Sequence, residues 1–145
     1  MLEQITHNHE ILAIIVRNGY SEKGVKFFTP DDFSQQLAYM SHARGKLIDP
    51  HVHNPVKREV RYTQEILFIR KGKLRVDFYN DEQKYLESRV LGAGDVLLLA
   101  SGGHGFEVLE DLEMFEVKQG PYTGENDKTR FKDIDVKEVC TKNER

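Results

Sequence analysis

Between Gly45 and Gly120 every periodic segment of the chain is short, and every break between segments carries turn chemistry. Nothing in that interval places apolar residues at the spacing of an amphipathic helix. A chain built this way folds as an all-β sandwich or barrel. The strands expected there are residues 47–53, 59–70, 73–79, 85–91, 95–99, 105–109 and 112–119. Lys71-Gly72 and Asn80-Asp81 read as hairpin turns. The clusters Gly92-Ala93-Gly94 and Gly102-Gly103 mark positions that need positive φ or close backbone approach.

Ahead of this region, residues 11–17 are dense in β-branched side chains and close on Asn18-Gly19, an edge or near-edge strand ending in a turn. The first ten residues read as a loose arm. Thr29-Pro30-Asp31-Asp32 has the order of a helix start, with Thr as N-cap, Pro at the first helical position and acids in the first turn, which predicts a short helix of about two turns. Residues 36–43 alternate with period two and stop at Gly45, giving another strand. The reading is one domain over residues 1–145, with a barrel core at about 36–120 and a charged tail at 121–145 that frays. Within the tail, Ile134, Val136 and Val139 could form one more strand or a short helix.

Composition narrows the function classes. With 21 Lys and Arg against 24 Asp and Glu, the formal charge is −3, so no basic surplus exists to neutralise a run of phosphates, and no nucleic-acid partner is expected. The longest apolar stretches, 11–16 and 96–100, fall far short of the ~20 residues a spanning helix needs, so no membrane partner is expected either. The first ten residues lack the charge pattern and cleavage site of a signal peptide, and the single cysteine, Cys140, has no intrachain partner. A reducing cytoplasm is the expected compartment.

His51 and His53 are two residues apart in an extended segment, so their imidazoles leave one face with Cα atoms about 6.5–7 Å apart. That is within reach of one metal ion. Glu65 shares a strand face with Leu67 and Ile69, and an acid on an apolar face must be paired, protonated or bound to a cation. Lys118 and Arg61 are candidate ion-pair partners for it. His104 stands between Gly103 and Gly105 at the entry to a later strand, where sheet closure could bring it beside the first two histidines. Three imidazoles and a carboxylate are a normal shell for a divalent transition metal, whether zinc, iron, manganese, nickel or copper. Gln36, Tyr39, Arg61, Gln64, Phe106 and Lys118 are the candidate substrate-binding residues: the tyrosine and lysine suit hydroxyls or phosphate, and the phenylalanine an apolar wall.

These residues resemble the cupin superfamily of small β-barrels, whose two motifs read G-x5-H-x-H-x3,4-E-x6-G and G-x5-P-x-G-x2-H-x3-N. The chain gives Gly45-x5-His51-x-His53, then Glu65-x6-Gly72, then Gly94-x5-Ala100-x-Gly102-x-His104. Eleven residues separate His53 from Glu65, Ala100 stands where the family has Pro, and His104 comes one residue early. The resemblance implies a jelly-roll barrel with a metal inside, held by His51, His53, His104 and Glu65.

A narrower likeness is to cupins of bacterial surface-polysaccharide and sugar-nucleotide pathways, some of which resemble metal-free catalysts that use histidines as proton shuttles. The expected function is therefore an enzyme of the isomerase or epimerase type acting on a small polar substrate, a sugar or sugar nucleotide, through a His/Glu metal centre. In a metal-free version His51, His53 and His104 do the proton transfer. The alternatives are a non-catalytic small-ligand or sensor module and a metal-dependent dioxygenase. Residues 96–100 are apolar on both faces, which a second subunit would explain, so a homodimer is expected.

Overall fold

The computed structural model describes residues 1–142. Eight strands carry the fold: β1 (Leu2–His7), β2 (Glu10–Val16), β3 (Gly24–Phe27), β4 (Ala38–Ser41), β5 (Glu65–Tyr79), β6 (Tyr85–Gly92), β7 (Val96–Leu99) and β8 (Gly103–Lys118). Among the described residues, helical structure is limited to two short 3-10 turns, Gly124–Asp127 and Val136–Glu138. The molecule is mostly β, as expected.

β5 organises the rest. Along one edge it pairs antiparallel with β8 from Glu65↔Lys118 to Tyr79↔Gly103. Its other edge is shared, with β7 on Glu65–Phe68 and β6 on Lys73–Tyr79. β7 continues to β2 and β2 to β1, giving the order β1-β2-β7-β5-β6 with β8 attached to β5. A strand that serves two neighbours in succession must bend between them, and the sheet curls into a half-barrel.

The bend is written in β5 itself. Leu67 and Ile69 are fully buried, and so are Leu74, Val76 and Phe78, an odd set followed by an even set. The register shifts between Ile69 and Leu74 change the parity, so that apolar side chains face the core on both sides of the irregularity. Gly72 sits inside it with φ +86°, and a Cβ there would lie 2.1 Å from the Asp111 carbonyl oxygen. Lys71-Gly72 is thus a bulge in one strand rather than the expected hairpin turn. The strands expected at 105–109 and 112–119 likewise form one continuous β8. A glycine at positive φ meets the needs of a turn and of a bulge alike, so local sequence does not separate them.

β7 divides the core. Leu97 and Leu99 join Ile5, Leu12, Ala13, Ile15 and the β5 side chains inside the curl. Leu98 packs on the other side with Ile14, Val16, Phe28 and Ala100, flanked by Tyr20 and Tyr39. The two apolar faces of residues 96–100 are therefore both covered within the chain, one by the inside of the curled sheet and the other by the region of the β3–β4 hairpin.

Several sequence expectations are corrected. Residues 1–10 are not a loose arm, because β1 pairs with β2 from Leu2↔Val16 onward. The buried Glu3 fixes this strand, with Oε1 2.5 Å from Arg17 Nε and Oε2 3.0 Å from Arg89 Nε, while Arg17 Nη1 reaches Asp95 Oδ2 at 2.9 Å. No helix follows Thr29. Its hydroxyl donates to Gln36 Oε1 at 2.7 Å and accepts from the Leu37 amide at 3.3 Å, which closes a compact loop instead of capping a helix. Residues 47–53 form no strand, and residues 59–64 are not part of β5. The tail does not fray as far as residue 142: Thr141 bridges Ser88 in β6, and Phe131 packs edge-on against Tyr79 at 5.0 Å. Residues 143–145 of the expected charged tail lie outside the described residues.

Candidate active-site cleft

Glu65 opens β5 on its inward face, and β8 places Lys118 directly opposite. Lys118 Nζ lies 2.9 Å from Glu65 Oε1. The curl brings the other end of β8 back to the same carboxylate, so that His104 Nε2 stands 3.4 Å from Glu65 Oε2. The Glu65 side chain is 10% exposed, whereas His104 and Lys118 keep 29% and 26% of theirs open to solvent. His104, and then Lys118, hold the Glu65 carboxyl down at about 2, outweighing the burial that opposes its charge. The same carboxylate raises the Lys118 ammonium above its ordinary value.

Glu65 and His104 border an open cleft of about 1010 Å³. One wall holds Glu65, His104 and Phe106, with the Phe106 ring 5.3 Å from the imidazole. A second wall comes from the tail, including Lys128, Arg130, Phe131 and Asp133, and Arg61 and Thr63 close a third side. Tyr79 anchors the tail wall: its hydroxyl donates to Asp133 Oδ1 at 2.6 Å and accepts from the Ile134 amide at 3.1 Å. Burial first, and then Asp133, push that hydroxyl up to about 12, so it remains a donor at neutral pH. Thr63 Oγ1 donates to Asp127 Oδ1 at 2.7 Å and joins the third side to the tail.

Of the residues singled out in the sequence, the structure brings together Glu65, His104, Phe106, Arg61 and Lys118. It does not bring in His51 and His53. Their rings meet each other at 5.2 Å, but both are exposed in the irregular segment 42–64 and neither borders the cleft. Gln36 serves the fold, donating to the Pro30 and Phe33 carbonyls at 2.9 and 3.0 Å. Gln64 also holds a loop, accepting from the Gln35 amide at 2.9 Å and the Ser34 hydroxyl at 3.1 Å. Tyr39 packs edge-on against Tyr20 at 5.2 Å in the second core.

The tail wall was missed in the sequence. Its signal was the spacing of Phe131, Ile134, Val136 and Val139 in a largely charged stretch.

Among the described residues, no three His, Cys, Asp or Glu side chains stand close enough to hold one metal ion. Glu65 and His104 supply two donors, and the Lys118 ammonium already occupies one carboxylate oxygen. This donor set does not fit a divalent cation. It does fit proton transfer: a buried carboxylate faces one ring nitrogen of His104, while Nδ1 makes no hydrogen bond to any described residue. Compared with known proteins, the chain matches no family model, no curated protein and no solved structure.

Proposed function

We propose that this protein is a small-molecule enzyme in which His104 transfers a proton to and from a polar, anionic substrate held in the cleft. The observation that carries this reading is the buried Glu65 carboxylate, kept ionised between the His104 imidazole and the Lys118 ammonium. A carboxylate behind an imidazole fixes the ring and stabilises the imidazolium that forms when it takes a proton. Lys128 and Arg130 on the tail wall, with Arg61 beside them, suit a phosphate or carboxylate group, and Phe106 offers an apolar face.

The reaction class this serves is isomerisation next to a carbonyl. His104 removes a proton from the hydroxyl-bearing carbon beside the carbonyl, the C–H electron pair moves to make an enediolate, the hydroxyl proton passes to the former carbonyl oxygen, and the imidazolium returns its proton to the former carbonyl carbon. No atoms are gained or lost and no oxidant is needed. The cupin likeness supports the same reading, through the curled sheet and the placing of His104 and Glu65, and it favours sugar and sugar-nucleotide substrates. We extend the proposal to the topology, a cupin-type jelly roll for the curled sheet.

The test is solvent exchange. Keto sugar phosphates and keto sugar nucleotides are incubated with the protein in D2O, and deuterium is followed at the carbon beside the carbonyl by NMR. The expected result is incorporation that falls by about 10²–10⁴-fold in His104→Ala and is reduced in Glu65→Gln. Binding without exchange would move the protein to the class of ligand-binding modules. Exchange that survives His104→Ala unchanged would overturn the assignment of the proton to this residue.

A further inference from the structure

β8 has one paired edge and one open edge. Among the described residues it bonds only to β5, so along its 16 residues the opposite row of N–H and C=O groups faces no strand. An edge of this length with apolar side chains is a ready template for another strand. The lack of a cover shows in burial. Val108 and Met114 are 58% and 37% exposed, although their register partners on β5, Leu74 and Ile69, are completely buried. The strand is also acidic, with Glu107, Glu110, Asp111, Glu113 and Glu116 against one lysine, a net −4. Cations on β5 answer three of these acids, yet the Glu110 and Glu113 side chains stay 55% exposed and Asp111 has no ion pair to any described residue.

The opposite character sits in the segment before β5. Residues 42–63 hold five Lys and Arg against two acids, a net +3. They form no strand, and Val56, Val60 and Tyr62 are exposed. Residues 56–63 contain neither proline nor glycine, and valine, tyrosine and threonine suit a pleated strand. The last three of them, Arg61, Tyr62 and Thr63, already border the cleft together with His104, Gly105 and Phe106 at the start of β8.

We infer that residues 56–63, irregular in this structure, close as a strand that adds antiparallel to the open edge of β8 along residues 104–111. With Thr63 set beside His104, the antiparallel register places Lys57 opposite Glu110 and puts Arg58 on the diagonals to Glu107 and Asp111. Eight residues extend over about 26 Å, enough to cover the exposed Phe106 and Val108 and to narrow the mouth of the cleft. The tether through Gln64 makes the pairing intramolecular, and a second copy must compete with an effective concentration on the order of millimolar. The inference does not rest on the acid–base reading of His104.

Hydrogen–deuterium exchange with peptide-level mass spectrometry tests it, on the full chain at low salt and at two protein concentrations about a hundredfold apart. In the parent protein, amides of 56–63 and 104–111 are expected to exchange at least about tenfold more slowly than coil amides, equally at both concentrations. Lys57→Glu with Arg58→Glu is expected to remove the protection from both peptides, and Asp111→Lys added to that pair to restore it in part. Coil-like exchange of 56–63 in the parent overturns the inference without reference to any variant. Protection that rises with concentration alongside a dimer mass gives the edge to a second copy and overturns the intrachain strand.

Discussion

Lys118 stands directly across the β5–β8 ladder from Glu65, and their charged ends meet 2.9 Å apart. His104 first, and then this lysine, keep the carboxyl at about 2, against an ordinary value of 4.5. A depressed carboxyl contributes stability above the unfolded-state value and loses it as pH falls through the folded one. The native state should therefore lose on the order of 2 kcal/mol between about pH 4.5 and 2 from this group. Glu65→Gln should remove that part of the acid limb, read from urea unfolding as a function of pH. An unchanged acid limb in the variant would show that the pair contributes nothing to folding.

Gly72 makes a separate prediction. Its φ of +86° and the Asp111 carbonyl oxygen, 2.1 Å from where a Cβ would stand, leave no room for a side chain, and the clash is with backbone. Gly72→Ala should destabilise the fold by more than the ~1 kcal/mol of conformational strain alone. Denaturant midpoints compare it with an alanine at Gly120, which has nothing within 4 Å of the added carbon.

Asp77 is fully buried and accepts from Arg75 at both oxygens, Nε to Oδ1 and Nη2 to Oδ2, each at 2.9 Å, with the Ser88 hydroxyl as a further donor. Asp77→Ala leaves the Arg75 guanidinium short of its carboxylate and should cost about 3–5 kcal/mol. Replacing both partners, Arg75→Met with Asp77→Leu, should recover much of that loss. Chemical denaturation of the three proteins decides between these outcomes.

Tyr79→Phe removes the hydroxyl that holds Asp133 and Ile134 and should loosen the tail while leaving the sheet intact. A loss of about 1.4 kcal/mol corresponds to a tenfold rise in the opened population, seen as faster limited proteolysis within residues 121–142. Equal cleavage rates in parent and variant would show that Phe131 alone secures the tail.

Much of this fold was legible in the sequence because alternation reports burial directly. Glu65, Leu67 and Ile69 were expected on one face and lie on one face, at 8%, 0% and 0% exposure. Past Gly72 the alternation continues with its parity reversed, which reads as a new strand when only the chain is in view. β1 was missed because polar Glu3, Gln4 and Thr6 interrupt its apolar residues, and the arginines that neutralise Glu3 come from Arg17 and Arg89, far along the chain. At the site, an acid on an apolar face was a sound signal for Glu65, and its pairing with Lys118 was among the options the residues left open. His51 and His53 show the limit of spacing as a guide. Period two places two side chains on one side of an extended segment, but it does not say which strand that segment joins.

Glu65 and Tyr79 are the first and last residues of β5, so the carboxylate that backs His104 and the hydroxyl that anchors the tail are mounted on the two ends of a single beam. The separation between the two jaws of the cleft is then a property of that beam, set by its length and by the bend at Gly72. Insertions in residues 42–63 or in the tail can reshape what the jaws grip without moving them apart. A change of one residue within β5 alters the span itself and reverses every side chain beyond it, so diversity in ligand size should accumulate in the flanking segments while β5 keeps its length.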